Sequence, residues 1–125
     1  MSDAALKKKA AQIKLLVLDV DGTLTDGGVY IDANGVQSKK FHIRDGMGIT
    51  LLHEKGLPVG ILSHSRSKTI LDERARMLGI ERVYSGKEPK LEVLTRWLLE
   101  LNLTYEQVAY IGDDVNDLEV LEKVG

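Results

Sequence analysis

The chain has no cysteine among its 125 residues. That excludes disulfide staples and thiolate chemistry and fits a reducing compartment. Neither sign of charge dominates: 17 basic residues stand against 19 acidic ones, a net charge of -2. The basic footprint of a nucleic-acid binder is therefore missing, and no nucleic-acid partner is expected. Long apolar runs are missing as well. Lys7, Lys8 and Lys9 resemble the basic start of a signal peptide, but the apolar run after them is short and soon reaches Asp19. The segment reads as a solvated helix leading into a first strand, and a cytoplasmic protein without a membrane partner is expected. There is no internal repeat, linker or low-complexity stretch. With 43% hydrophobic and 29% charged residues, the chain is long enough to bury a core and too short for two ordinary domains, so residues 1–125 are expected to form one.

What is present centres on Lys14 to Asp26, KLLVLDVDGTLTD. The apolar run Leu15 to Leu18 suits a strand buried on both faces, and it delivers Asp19 and Asp21, followed by Gly22 and Thr23. Carboxylates beside a buried strand are costly unless a metal, hydrogen bonds or a counter-charge compensates them. A DG pair alone would mean no more than an acidic turn. A second cluster in the same context changes that reading: Val108 to Ile111 is another apolar run, emptying into Gly112, Asp113, Asp114 and then Asp117. Two buried strands ending in carboxylates form a metal site, and oxygen-only ligands favour a hard cation, Mg2+ being usual where phosphate is handled.

Between the clusters, Val29 to Ile31, Asp32-Ala33-Asn34-Gly35 and the stretch to Ile43 predict a β-hairpin with an Asn-Gly turn. A helix is predicted from Met47 to Lys55, stopped at Gly56-Leu57-Pro58. Strands follow at Val59 to Ser63, Arg82 to Tyr84 and Val108 to Ile111. Helices are predicted from Lys68 to Leu78, with Ser67 as N-cap and Gly79 as stop, from Pro89 to Leu101, and from a cap at Asn116 through Lys123. In Pro89–Leu101, the residues Leu91, Leu94, Trp97, Leu98 and Leu101 recur at helical spacing, which makes Trp97 a core residue rather than a ligand. Thr104 and Gln107 match a capping box. Strands alternating with helices predict an α/β fold: a doubly wound, mostly parallel, Rossmann-like sheet with helices on both faces and a hairpin inserted after strand 1. Such sheets put their sites at the carboxyl ends of the strands, where Asp19, Ser63, Lys90 and Asp113 all fall.

Asp19-Val20-Asp21-Gly22-Thr23, then Ser63, Lys90 and Gly112-Asp113-Asp114-Val115-Asn116-Asp117 resemble, in that order, the four-part signature of the haloacid dehalogenase superfamily. The resemblance implies a Mg2+-dependent phosphatase without a cap domain, since the hairpin is too small to be one. Asp19 would be the nucleophile and form an aspartyl-phosphate, and Asp21 the general acid and then base. Ser63 and Lys90 would hold the phosphoryl oxygens. The metal would take Asp19, the main-chain carbonyl of Asp21 and Asp113, with Asp114 and Asp117 supporting. For Lys90 alone, the plain alternative is a solvated lysine in the first turn of a helix.

Within the superfamily the chain is similar to the capless 3-deoxy-D-manno-octulosonate 8-phosphate phosphatase family over nearly all of residues 13–125. Within KKFHIRDGMGI, the block FHIRDG is the most specific match. It implies substrate contacts at His42, Ile43, Arg44, Asp45 and Gly46, together with Asp21 and Lys90, for a sugar acid phosphate, and a homotetramer formed through the hairpin. Three departures stand out. Ser63-His64-Ser65-Arg66 replaces the family's Thr-Gly-Arg, which places Arg66 at the family arginine and Arg74 at a helical one. Thr50 stands where the eight-carbon enzymes carry Arg. The chain stops at Val124-Gly125, so the family's further strand and Gly-rich tail are expected to be missing. The competing readings are a nine-carbon sugar acid 9-phosphate phosphatase, a generalist phosphatase, a signalling receiver domain, whose acidic pair comes first rather than last, and a non-catalytic oligomerisation module. The last has no reason to keep Asp19, Asp21, Lys90 and Asp113 as costly buried charges.

Overall fold

The computed structural model describes residues 3–64, 68–112 and 117–125. In chain order the elements are α1 (Asp3–Ala11), β1 (Leu15–Leu18), β2 (Tyr30–Ile31), β3 (Gln37–Ser38), α2 (Ile43–Glu54), β4 (Val59–Ser63), α3 (Lys68–Leu78), β5 (Arg82–Ser85), α4 (Lys90–Leu101), β6 (Val108–Ile111) and α5 (Leu118–Lys123). Strands β5, β4, β1 and β6 form one sheet in that order, every pair parallel, and β2 and β3 form a separate antiparallel hairpin. The chain steps outward from β1 to β4 and β5, then returns to the other side of β1 with β6. This reversal opens a crevice at the carboxyl ends of β1 and β6. The expected doubly wound α/β architecture is the one observed.

Alternation along the strands divides the core in two. Leu15, Val17, Leu62, Val108 and Tyr110 face α4 and α5 and pack on Val93, Leu94, Trp97, Leu98 and Val120. Leu18, Val59 and Ile61 face α2 and α3 and pack on Ile49, Leu71 and Ala75. Trp97 is thus a core residue, as its spacing predicts, and it lies over Gly60, where a Cβ would come within 2.9 Å of the ring. Helix α1 buries nothing, in keeping with a solvated lead-in. Thr104 and Gln107 form the expected capping box on a short 3-10 turn. No helix among the described residues is long and apolar enough to cross a membrane.

Three local expectations change. Helix α2 begins at Ile43 rather than Met47, because the Nδ1 of His42 accepts from the amide of Arg44 at 3.0 Å and caps it. Gly46 and Gly48 weaken that first turn intrinsically, but Gly46 sits where a Cβ would meet Leu78 at 3.0 Å and Arg74 at 3.1 Å. Close packing on α3 therefore decides the start. The hairpin turn also differs from a two-residue Asn-Gly type. Only Gly35 has positive φ there (+79°), and Asp32 Oδ1 accepts from the amides of Asn34 and Val36 at 2.9 Å each. The turn thus spans Asp32 to Val36 with Gly35 in the left-handed position. Finally, Asp117 is the residue that precedes α5. The predicted caps Asn116 and Ser67 lie outside the described residues.

Candidate active site

Sheet register assembles the site. Leu18 pairs with Ile111 on one side and Ile61 on the other, and the amide of Asp19 donates to the carbonyl of Ile111 at 2.9 Å. One further step along this register falls on Asp19 between Gly112 and Leu62, with Ser63 the next residue of β4. Asp19 is 6% exposed and Ser63 1%. After Asp19 the chain turns tightly: the amides of Thr23, Leu24 and Thr25 all donate to the carbonyl of Val20. Gly22 makes this possible with φ of +81°. Buried Thr25 accepts from the amide of Gly27 at 3.1 Å and bridges to Phe41, fastening the loop to the segment that leaves the hairpin.

Lys90 opens α4 behind Pro89 and points into the sheet. Its side chain is 1% exposed, which sets aside the reading of a solvated first-turn lysine. The ammonium donates to Asp19 Oδ1 at 3.1 Å, to Asp117 Oδ1 at 2.6 Å and to the Tyr110 hydroxyl at 3.3 Å, and that hydroxyl in turn donates to Asp117. A buried ammonium needs this saturation. Gly112 is required next to it, since a Cβ there would collide with the Asp117 carboxylate and the Tyr110 ring. Burial raises the pKa of Asp19 above the ordinary carboxylate value, while Lys90 works in the opposite direction. Sequence reading placed Asp117 as metal support. Among the described residues its Oδ1 accepts from Lys90 and Tyr110.

The remaining candidates are arranged by the helix. Periodicity splits the His42–Gly46 block: His42, Arg44 and Asp45 line a 410 Å³ cleft with Thr23 to Asp26, on the loop just past Asp21. Ile43 and Gly46 face a neighbouring depression with Thr50 and Arg74. Arg74 donates to the carbonyl of His42 at 3.2 Å and stacks over Phe41 at 5.3 Å, which docks the start of α2 onto α3. His64 joins its Nε2 to the carbonyl of Glu88 at 2.7 Å, linking the end of β4 to the loop before Lys90. Asp113, Asp114 and Arg66 lie outside the described residues. Two residues escaped sequence reading. Tyr110 looks like any aromatic in a buried strand, and Lys39 looks like half of a solvated Lys39-Lys40 pair, yet its side chain is buried and bonded to Asp21. No sequence signal marks either, because both partnerships form across the fold.

Residues 43–125 match the haloacid dehalogenase-like hydrolase family. The chain belongs to the haloacid dehalogenase-like hydrolases. It is 41% identical over 122 residues to 3-deoxy-D-manno-octulosonate 8-phosphate phosphatase KdsC of Escherichia coli strain B / BL21-DE3, covering 98% of this chain and 64% of that protein. The chain thus spans just under two thirds of this curated relative. The crystal structure of a probable YrbI family phosphatase from Pseudomonas syringae superposes with TM-score 0.93 at 45% identity, covering 98% of this chain and 69% of that one. A 3-deoxy-D-manno-octulosonate 8-phosphate phosphatase from Moraxella catarrhalis, solved with magnesium ion, phosphate ion and a KDO molecule, superposes with TM-score 0.93 at 34% identity, covering 99% and 71%.

Among the described residues, no three His, Cys, Asp or Glu side chains converge as a metal set. The donor chemistry nevertheless fits a hard divalent cation: Asp19 and Asp21 offer oxygen only, at the mouth of the crevice, and the neighbouring Gly112 leads into Asp113 and Asp114.

Proposed function

We propose that this protein is a Mg2+-dependent phosphomonoesterase that acts on a sugar acid phosphate, 3-deoxy-D-manno-octulosonate 8-phosphate, through an aspartyl-phosphate. The observation that carries the reading is the buried Lys90 ammonium joining Asp19 and Asp117 at the carboxyl end of a parallel sheet. Such a lysine supplies fixed positive charge where a phosphate dianion would otherwise be repelled by the attacking carboxylate. Asp19 attacks phosphorus in line, the P–O ester bond breaks, and Asp21 gives its proton to the departing alkoxide. Asp21 then takes a proton from water, whose oxygen attacks the acyl phosphate and returns Asp19 with release of inorganic phosphate. Ser63, buried at the end of β4, and Lys90 hold the phosphoryl oxygens. Asp19, the Asp21 carbonyl and Asp113, supported by Asp114, are the residues that would hold Mg2+. When bound, the cation neutralises charge on the transferring group.

Arg44 supports the acidic character of the substrate. It lines the cleft beside the catalytic loop, and a guanidinium there is surplus for a neutral sugar phosphate but pairs bidentately with a carboxylate. Arg74, in the neighbouring depression, acts by fixing the His42 carbonyl, and Arg66 is proposed as a further substrate contact. Assembly follows from the hairpin: Val29, Tyr30, Ile31 and Val36 are exposed, as are Ile43, Met47 and Leu51 of α2. A two-stranded ribbon has too little core to stand alone, so we assign this face to a homotetramer of a cytoplasmic enzyme. The test is phosphate release by the full-length protein with Mg2+, from the sugar acid phosphate and from a neutral hexose phosphate. Asp19→Asn should lower kcat by about three orders of magnitude or more. Arg44→Ala should lower kcat/KM for the acid alone; wild-type turnover by Asp19→Asn would end the mechanism, and an equal loss on both substrates would make this a generalist phosphatase.

A further inference from the structure

Lys39 leaves the hairpin directly after β3, two residues before the Phe41 bridge to Thr25. Its side chain is 2% exposed, and its Nζ donates to Asp21 Oδ1 at 2.7 Å; the Asp21 side chain is 43% exposed. This is the reverse of a usual surface pair, in which the lysine head stays in water. Taking an ammonium out of water costs several kcal/mol unless it is paired, whereas a half-exposed carboxylate is solvated without help. Asp21 therefore does not need Lys39 for its own solvation. What the bond supplies is a fixed direction. Among the described residues, Lys39 is the side-chain hydrogen-bond partner of Asp21, and the bond fixes the direction of Oδ1. Lys39 makes a further interaction of its own, and the loop beneath it is fastened by the Thr25 hydroxyl to the amides of Gly22 and Gly27.

We propose, on the phosphatase reading above, that Lys39 is the positioning residue of the acid/base step. By holding Oδ1 of Asp21, it leaves Oδ2 to carry the proton to the leaving alkoxide and to receive one from the attacking water. The bond spans 18 residues and links the hairpin to the catalytic loop, so the hairpin does more than present an assembly face. A residue that acts in this way affects protonation of the leaving group and not the capture of phosphate. Its removal should matter most where the leaving group is a poor one.

The experiment compares full-length wild type, Lys39→Met and Lys39→Arg on an alkyl phosphate and on 4-nitrophenyl phosphate, whose aryloxide departs without a proton. General acid–base contributions are commonly about 10²-fold or more. Lys39→Met should therefore lower kcat on the alkyl substrate at least about tenfold more than on the aryl one, with KM changed by about twofold or less. Lys39→Arg should recover most of the loss. In an Asp21→Asn background, Lys39→Met should cost nothing further, because both changes remove one interaction. Should Lys39→Met fail to fold, Lys39→Gln, whose neutral side chain is one atom shorter and loses the ammonium's reach to Asp21, carries the same comparison. Equal losses on the two substrates, a rise in KM alone, or full additivity with Asp21→Asn would each overturn the proposal while leaving the phosphatase reading standing. A wild-type protein inactive on both substrates would overturn that reading, and this proposal with it.

Discussion

The Lys90 cluster makes an asymmetric prediction about stability. Lys90 is shared by two carboxylates, Asp117 at 2.6 Å and Asp19 at 3.1 Å, with side-chain exposures of 0% and 8%. Breaking a buried ion pair by removing one partner costs roughly 3–5 kcal/mol. In Asp117→Asn the ammonium keeps Asp19 and Tyr110, and the amide still offers an acceptor, so about half of that, ~2 kcal/mol, is expected. With an unfolding entropy of about 2.1 cal/mol/K per residue, this lowers Tm by roughly 8 °C. Asp19 behaves differently. Burial outweighs Lys90 and raises its pKa, so folding favours the protonated acid. The ionised form at neutral pH therefore costs stability, a cost that disappears as pH falls through the folded value. Asp19→Asn removes that cost while Lys90 retains Asp117, so its Tm should equal or exceed that of wild type even as turnover is abolished. Thermal unfolding followed by circular dichroism at pH 7, with chelator present to exclude metal linkage, measures both. A drop in Asp19→Asn as large as in Asp117→Asn, or an Asp117→Asn variant within 2 °C of wild type, roughly the scatter of single surface changes, would refute the reasoning.

Two further predictions concern packing and assembly. Gly60→Ala places a methyl 2.9 Å from the ring of Trp97, which is 7% exposed and enclosed by α4 and the sheet; overpacking of this kind should cost about 1–3 kcal/mol in urea unfolding with an unchanged m-value, and no measurable loss would mean that the helix shifts freely. Tyr30→Asp puts a charge on the exposed hairpin face, so sedimentation velocity should show dissociation of the oligomer while the monomer fold persists; a wild-type chain that is already monomeric at micromolar concentration would remove the assembly assignment.

Much of the sheet was legible in the residues because strand and helix signals here are local. The run Leu15 to Leu18, the stop at Gly79 and the leucine spacing of α4 each decide their own element, and β/α alternation then leaves few topologies. The order of the acidic, hydroxyl and lysine motifs likewise singles out Asp19, Ser63 and Lys90, which the sheet buries at its carboxyl end. What the sequence could not settle depends on groups that meet only when the chain is folded. Helix α2 starts four residues early because Gly46 lets it close on Leu78 and Arg74, a contact that local propensity cannot register. Arg44 and Ile43 are adjacent in the chain yet line different depressions, since a helix sends consecutive side chains about 100° apart. Lys90 could have been a solvated first-turn lysine. Its burial is decided by the register that brings β6 beside β1 and so sets Tyr110 and Asp117 around it. Lys39 is the clearest case: one of two neighbouring lysines beside a small hairpin, it is the one whose side chain is buried and bonded to Asp21. Periodicity and motif order report what each segment is, but the energy of a buried charge depends on its partners, and those partners are chosen by tertiary structure.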